Sequence, residues 1–465
     1  MRISVVRATF VLVAGVGAPV VAGAQAFGLN EIGTCTVGRT SAVTAHPCDD
    51  ASAIFWNPAA TVRLPGWSFY LGGAAIAVDG SFTQDTTGIE YPSDAAVEYP
   101  PALFVNYGMT DRLALGIGAY VPYGLTSQWK QDFPGRFNAQ KASLQTIYVQ
   151  PNIAFDLVPG RFSIGGGPIW AHSSLELRQA LDLSEVPITG TPFTFGTVGI
   201  PRGTEFGRVR AKGSDDAWGF QVGAHAVLSP SWQVGARYLS KVKFAYEADA
   251  TFSQVPTNLI VPNTGGAFPI PALTPVDAVL QPQFGTGGAF TAQTATTTIE
   301  HPAQAQFGVA YTGFDRTTLE VDYEWVQWSS FETLPITFTN PASAALSRTL
   351  LEQYEDGNIY RASADHRFAN DWAVRAGFAY NQAPVPDVTV TPLLPDMNRY
   401  NFTAGVGIPL AGRYVLDLGY WRVETQGRRG RIVERDTREQ TAEQLNSGFY
   451  ALNANVFALS LKAQF

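Results

Sequence analysis

Apolar and polar residues alternate along this chain in runs of about ten, a periodicity of two interrupted by turn residues. In 457–465, Phe457, Leu459, Leu461, Ala463 and Phe465 fall on one side, with Ala458, Ser460, Lys462 and Gln464 on the other. Successive side chains of a strand point to opposite faces, so the run has one greasy face and one wet face. The pattern recurs in 144–157, where Ile147, Val149, Pro151, Ile153, Phe155 and Leu157 oppose Thr146, Tyr148, Gln150, Asn152 and Asp156. It recurs again in 217–228, 372–381 and 400–410, where the second face is mostly Gly, Ala and polar residues. Such a face is too thin and too wet for a packed soluble core. It suits a barrel whose other face meets lipid.

The strand-like runs are joined alternately by very short and by long connections. Short ones fall at Thr110-Asp111, Pro159-Gly160, Ser229-Pro230-Ser231, Phe314-Asp315, Ala369-Asn370-Asp371 and Ala411-Gly412, each of turn chemistry. Long ones are predicted over 78–97, 126–142, 176–215, 250–295, 329–354, 384–398 and 425–450. The pattern predicts an all-β fold, an antiparallel transmembrane barrel of about 14 strands with both ends periplasmic. Trp67, Trp218, Trp232, Trp372, Tyr400 and Tyr414 near strand ends fit interfacial girdles. A soluble sandwich or propeller would not explain the alternation of turn and loop lengths. The terminal aromatic Phe465 is typical of bacterial outer-membrane proteins, where it helps the assembly machinery recognise the chain.

Composition narrows the picture. The 465 residues are 46% hydrophobic and only 15% charged, and beyond residue 26 no apolar run approaches the roughly 18 residues of a spanning helix. The formal net charge of −8, with no basic block, argues against nucleic acid. Arg2 and Arg7 precede an apolar run from Ala8 to Ala22, and two A-x-A sites place the mature start at Gln25 or Phe27. The expected organisation is therefore a signal peptide over 1–26, a luminal hatch over 27–65 and the barrel over 66–465. The hatch follows from some forty residues too many for a tail and too rich in Gly, Ala and Asp for a separate domain. Cys35 and Cys48 form an even pair in an exported chain and read as a disulfide, with free thiols or a metal site beside His46 as weaker readings.

Two of the long loops are unexpectedly apolar. Segment 176–215 carries Leu177, Leu181, Leu183, Val186, Ile188, Phe193 and Phe195, and segment 250–295 carries Leu259, Ile260, Val261, Phe268, Ile270, Leu273, Val276, Val279 and Leu280. Exposed grease marks a binding surface, here for hydrophobic small molecules; the plainer alternative is that the loops pack on each other. Five histidines are scattered without metal-ligand spacing, so neither an enzyme nor a cofactor or metal is expected.

Phe27-Gly28-Leu29-Asn30-Glu31, Asp49-Asp50-Ala51-Ser52, Asn57-Pro58-Ala59, Pro122-Tyr123-Gly124-Leu125, Ala217-Trp218-Gly219-Phe220, the run Tyr238 to Phe244, Trp328-Ser329-Ser330-Phe331 and Ala383-Pro384-Val385-Pro386 stand in order along the chain. Together they resemble the FadL-type long-chain fatty-acid transporters of Gram-negative outer membranes. The resemblance implies a monomeric barrel blocked by an N-terminal hatch. It implies capture of apolar ligands by the outer loops, binding near the N-terminus at Phe27 and Leu29, and release into outer-membrane lipid beside a kinked third strand. Asn57 matches the hatch asparagine that faces the kink, Gly124 matches the kink glycine, and Pro122 precedes it. Arg178 lies within one residue of a basic position near the carboxylate. Where the family has a second basic residue, this chain has Gly357, which leaves room for aromatic or alkane hydrocarbons as cargo. A surface receptor or adhesin with an inert barrel is the alternative of another class.

Overall fold

In the computed structural model, residues 26–188, 191–262, 270–410, 413–430 and 447–465 are described. The leader through Gln25, the turn Ala411-Gly412 and Phe268 lie outside them. The strand segments join into a closed antiparallel barrel of fourteen strands among the described residues. These are β1 (Gly66–Gln84), β2 (Pro101–Thr110), β3 (Leu113–Tyr120 and Gly124–Gln128), β4 (Lys141–Val158), β5 (Phe162–Asp182), β6 (Glu205–Ser229) and β7 (Trp232–Leu239 and Val242–Gln254). They continue as β8 (Gln293–His301 and Gln304–Phe314), β9 (Thr317–Val326 and Thr333–Phe338), β10 (Arg348–Leu351 and Gly357–Arg367), β11 (Ala373–Asn381), β12 (Arg399–Pro409), β13 (Tyr414–Thr425) and β14 (Gly448–Gln464). Seventeen residue pairs, Ser68↔Gln464 to Gln84↔Gly448, close the ring between β1 and β14. Phe465 donates its amide to the Trp67 carbonyl at 2.9 Å and stacks edge-on against Phe69 and Tyr414.

The outward face is apolar and exposed. Ile153 is 55%, Leu228 66%, Phe402 51% and Leu459 54% accessible, a band no monomeric water-soluble protein would show. The inward face is buried, and its glycines are spaces for the N-terminal segment. A Cβ on Gly405 would lie 2.9 Å from Gly38 Cα, one on Gly223 2.6 Å from Asn57 Oδ1, and one on Gly235 would strike the Thr44 carbonyl. Residues 26–65 therefore sit inside the barrel as short turns, Thr34–Gly38, Ala53–Trp56 and Pro58–Arg63, almost all of them buried. The thin wet face of the strands is matched to backbone rather than to side chains.

One loop boundary and one side-chain orientation differ from what alternation predicts. The loop predicted over 176–215 spans only 183–204, because β5 and β6 pair continuously from Phe162↔Ala226 to Asp182↔Glu205. Above Trp170 and Trp218 the outward residues turn polar (Ser174, Glu176, Arg178; Ser214, Lys212, Arg210), so apolar alternation stops where lipid stops although the ladder continues. Lys241 and Lys243, which alternation from Arg237 places inside, face outward instead; Ser240 and Lys241 interrupt β7 and shift its register by one.

Candidate functional site

Several strands break at the same level of the barrel. β3 is interrupted at Val121, Pro122 and Tyr123, β8 at Pro302 and Ala303, and β9 and β10 each carry an insert, 327–332 and 352–356. Below its break β3 pairs on both sides, with β2 up to Leu103↔Ala119 and with β4 up to Tyr120↔Tyr148. Above it, β3 pairs only with β4, Gly124↔Gln145 to Gln128↔Lys141. β2 begins at Pro101, so the upper edges of β1 and β3 face each other across segment 93–100 rather than across a strand.

The broken backbone is satisfied by the N-terminal segment. Leu29 donates its amide to the Pro122 carbonyl at 2.8 Å, and Gly124 donates to the Phe27 carbonyl at 2.9 Å. Gly28 thus forms an antiparallel bridge with Tyr123. Gly124 is needed for space rather than for unusual backbone angles: a Cβ there would come within 3.0 Å of Leu29 Cδ1. Asn57, expected at the kink, is elsewhere. Its amide nitrogen donates to the Thr44 and Ala224 carbonyls at 2.8 and 3.0 Å, and its oxygen caps Ala59, so it pins the segment to β6. The Asn-Pro pair starts a short 3-10 turn, which uses up the side chain locally.

Among the described residues, three cavities follow one another from the loops to the wall. An outer one of about 730 Å³ is framed by the two apolar loops, with Leu181, Ile188, Phe206, Val279 and Phe290 in its lining. Leu183, Phe195, Val261 and Val276 pack beneath it as a small core, so the loops both pack on each other and enclose a cavity. A luminal cavity of about 70 Å³ is lined by Phe27, Leu144, Leu175, Leu177, Phe331 and Leu394 among others, with no charged side chain. A third, of about 400 Å³, opens in the wall between β1, segment 93–101 and the upper part of β3, and includes Leu29, Ile76, Pro101, Gly124 and Leu125. Leu125, Leu144 and Leu394 line both the luminal and the wall cavities. On β5, Leu175 and Leu177 line the luminal cavity and Gln179 and Leu181, on the same face, the outer one.

Arg178 has the wrong parity for a ligand contact. It points outward, its Nε 2.7 Å from Glu176, which Arg210 and Lys141 also approach at 2.8 and 3.6 Å. A displacement of one residue in a strand moves a side chain to the other face, and Leu177 is the inward neighbour. The wall cavity, unlike the luminal one, carries charged side chains. Glu31 lines it, and burial holds its carboxyl above the ordinary range, although backbone amides and Arg399 pull the other way. Asp396 and Arg399, paired at 3.1 Å, line it too.

The segment 26–65 is fastened to β9. Arg39 meets Glu320 at 2.8 Å, and Glu320 also accepts the Ala45 amide at 2.6 Å. Asp322 accepts the Val43 and Thr44 amides at 3.0 Å each and the Thr44 hydroxyl at 2.7 Å. Cys35 and Cys48 are bonded, with their Cα atoms 6.3 Å apart. The periodicity did not reveal the luminal role of Trp328, Phe331, Tyr354, Leu393 and Leu394. The available signal was a run of apolar residues in loops that should otherwise be polar.

The family described as outer membrane protein transport protein (OMPP1/FadL/TodX) matches residues 16–465. A long-chain fatty acid transport protein of Escherichia coli O6:H1 is 24% identical, with 84% of this chain and 85% of that protein covered. A putative outer membrane protein of Neisseria meningitidis is 23% identical, over 94% of each. Among solved structures, a Pseudomonas aeruginosa FadL homologue superposes with a TM-score of 0.78 at 22% identity, covering 95% of this chain and 100% of that one. The toluene transporter TodX of Pseudomonas putida gives 0.67 at 15% identity, covering 95% and 99%. These two likenesses show the fold.

Proposed function

Since the chain belongs to the OMPP1/FadL/TodX family of outer-membrane transporters of hydrophobic compounds, we propose that it takes up long apolar molecules passively and releases them sideways into the membrane. The cargo enters the outer cavity between the loops, passes down the inward row of β5 to the luminal cavity, and leaves through the wall between β1 and the upper part of β3. The sharing of Leu125, Leu144 and Leu394 by the luminal and wall cavities carries this reading, because it makes the two spaces adjoining. The route is also downhill. Release into lipid keeps the cargo's apolar surface out of water, at about 0.8 kcal/mol per CH₂. On this reading residues 26–65 are a hatch, and Phe27, Leu29, Pro122 and Gly124 form the gate at the break.

A charge-free luminal cavity favours uncharged cargo, so hydrocarbons stand beside long-chain fatty acids as candidates. Uptake of oleate and of toluene is measured in a strain lacking the protein, with the parent restored, and with Pro122→Val, Gly124→Val restored. The parent is expected to restore at least one uptake. The double variant is expected to assemble, to bind at the loops and to transport neither. Parental rates in the double variant would remove the lateral route, and unchanged uptake on deletion would leave a receptor or adhesin.

A further inference from the structure

Under the floor of the luminal cavity, the Phe27 ring sits among side chains that do not suit it. Its centroid lies 4.7 Å from Trp328, 5.7 Å from His301 and 5.6 Å from Phe331, and Tyr354 stands 5.1 Å beyond Phe331 and 6.3 Å from Trp328. Trp328 and His301 are fully buried and Tyr354 nearly so. Three of their polar atoms, Trp328 Nε1, His301 Nε2 and the Tyr354 hydroxyl, have no hydrogen-bond partner among the described residues. A buried donor without a partner is destabilising, and native interiors avoid it. Here two belong to rings in contact with Phe27 and the third to Tyr354, which packs on Trp328 and Phe331, and they come from three different places: the end of the upper piece of β8 and the inserts of β9 and β10. Each of those strands is broken where the donor is delivered.

We infer that the cage around Phe27 is a head-group site, taking one neutral hydrogen-bond-accepting oxygen of an otherwise apolar ligand once the Phe27 ring moves aside. The inference rests on the transport reading above and names the cargo class within it. The indole N–H can only donate, and the phenol can donate. The Tyr148 hydroxyl lies 3.0 Å from His301 Nδ1; when it donates there, Nε2 carries the proton and also donates. Three donors call for an acceptor oxygen. Among the described residues no cation stacks on Phe27, and Arg428, whose charge reaches Tyr354, is already paired with Asp387, so an ionised carboxylate would be buried without a free counter-charge. The fitting ligands are fatty alcohols, esters, ketones or un-ionised acids rather than carboxylates or bare alkanes. Phe27 is also well placed to yield. Two backbone hydrogen bonds tie 27–29 to the β3 break, and the residue lies ahead of both the Cys35–Cys48 bond and the anchors at 39–45. Its ring can move while the rest of the segment stays in place.

The test compares 1-dodecanol with n-dodecane, which share a chain length and differ in one oxygen. Cells carrying the parent, Tyr354→Phe or Trp328→Phe are given both compounds together, and uptake of each is read by gas chromatography. The heat-modifiable band and a melting curve confirm folding. The parent is expected to favour dodecanol over dodecane, and each substitution to lower that ratio about fivefold, the size of one lost hydrogen bond. Tyr354→Phe removes a single oxygen and reads the ratio alone should the indole variant fail to assemble. A parent that takes up both compounds, with the same ratio in every variant, overturns the head-group site and leaves the transport reading standing. A parent that takes up neither overturns the transport reading and this inference with it.

Discussion

Which way a side chain points decides its role in this barrel, and parity is unforgiving. Arg178 and Leu177 are neighbours, yet one lies in an outward ion cluster with Glu176 and the other lines the luminal cavity. Half-exposed ion pairs contribute little. Arg178→Ala is therefore expected to leave uptake within about twofold of the parent, whereas Leu177→Glu, placing a charge in a cavity that has none, abolishes it. Uptake rates of the two variants at equal surface abundance check this, and the opposite ranking would restore Arg178 to the ligand site. The family resemblance marked Pro122 and Gly124 as a kink in a strand, but not the backbone they pair with. Their backbone partners, Phe27 and Leu29, are nearly a hundred positions away, and nothing in the sequence couples them. Asn57 was misread for the same reason: a short polar side chain just before a helical turn caps that turn, and its second partner on β6 is a tertiary fact.

Strands were legible wherever lipid forces one face to be apolar, as in β4, β6, β11, β12 and β14, and illegible where that force ends. The upper parts of β5 and β6 keep their ladder with charged outward residues, so they read as loop. The segment before the first strand was readable as an excess of residues, but its attachment was not, because the carboxylates of β9 look like any charged lumen. Asp322 is the most exacting of these. Replacing it with Ala leaves the Val43 and Thr44 amides and the Thr44 hydroxyl without their acceptor, at about 1–3 kcal/mol for each group. Asp322→Ala is expected to make segment 26–65 cleavable by protease added from the periplasmic side while β1 to β14 remain resistant. The Cys35–Cys48 bond contributes in a different way, closing a loop of 13 residues' separation, worth about 3 kcal/mol in the chain-entropy model. Mass spectrometry of non-reduced protein should show that single intramolecular link. Reduction alone should lower the melting temperature without releasing the segment, since Glu320 and Asp322 still hold it. Release on reduction would mean that the bond, not the carboxylates, does the fastening.

The placement of these contacts divides the molecule into a part that stays and a part that can give way. Residues 34–63 are held by the disulfide, by Arg39 on Glu320, by the amides on Asp322 and by Asn57 on β6, while 27–29 rest on the broken β3 through two hydrogen bonds. A path through the lumen into the periplasm would have to break the first set. A path through the wall needs only the second. The two can be separated by a cross-link that freezes the held part. A Cβ on Gly419 would lie 3.3 Å from Val37 Cβ, close to the spacing of a disulfide, so Val37→Cys with Gly419→Cys should bridge Thr34–Gly38 to β13. Peptide mapping establishes that the new pair and Cys35–Cys48 have each formed. Uptake of the cargo identified for the parent is then expected to continue at the parental rate in the cross-linked protein, and to be unaffected by reduction. Joining the same variant to Pro122→Val and Gly124→Val should stop it. If oxidation of the 37–419 pair alone halts uptake and reduction restores it, the held part must move, and the cargo passes the hatch rather than the wall.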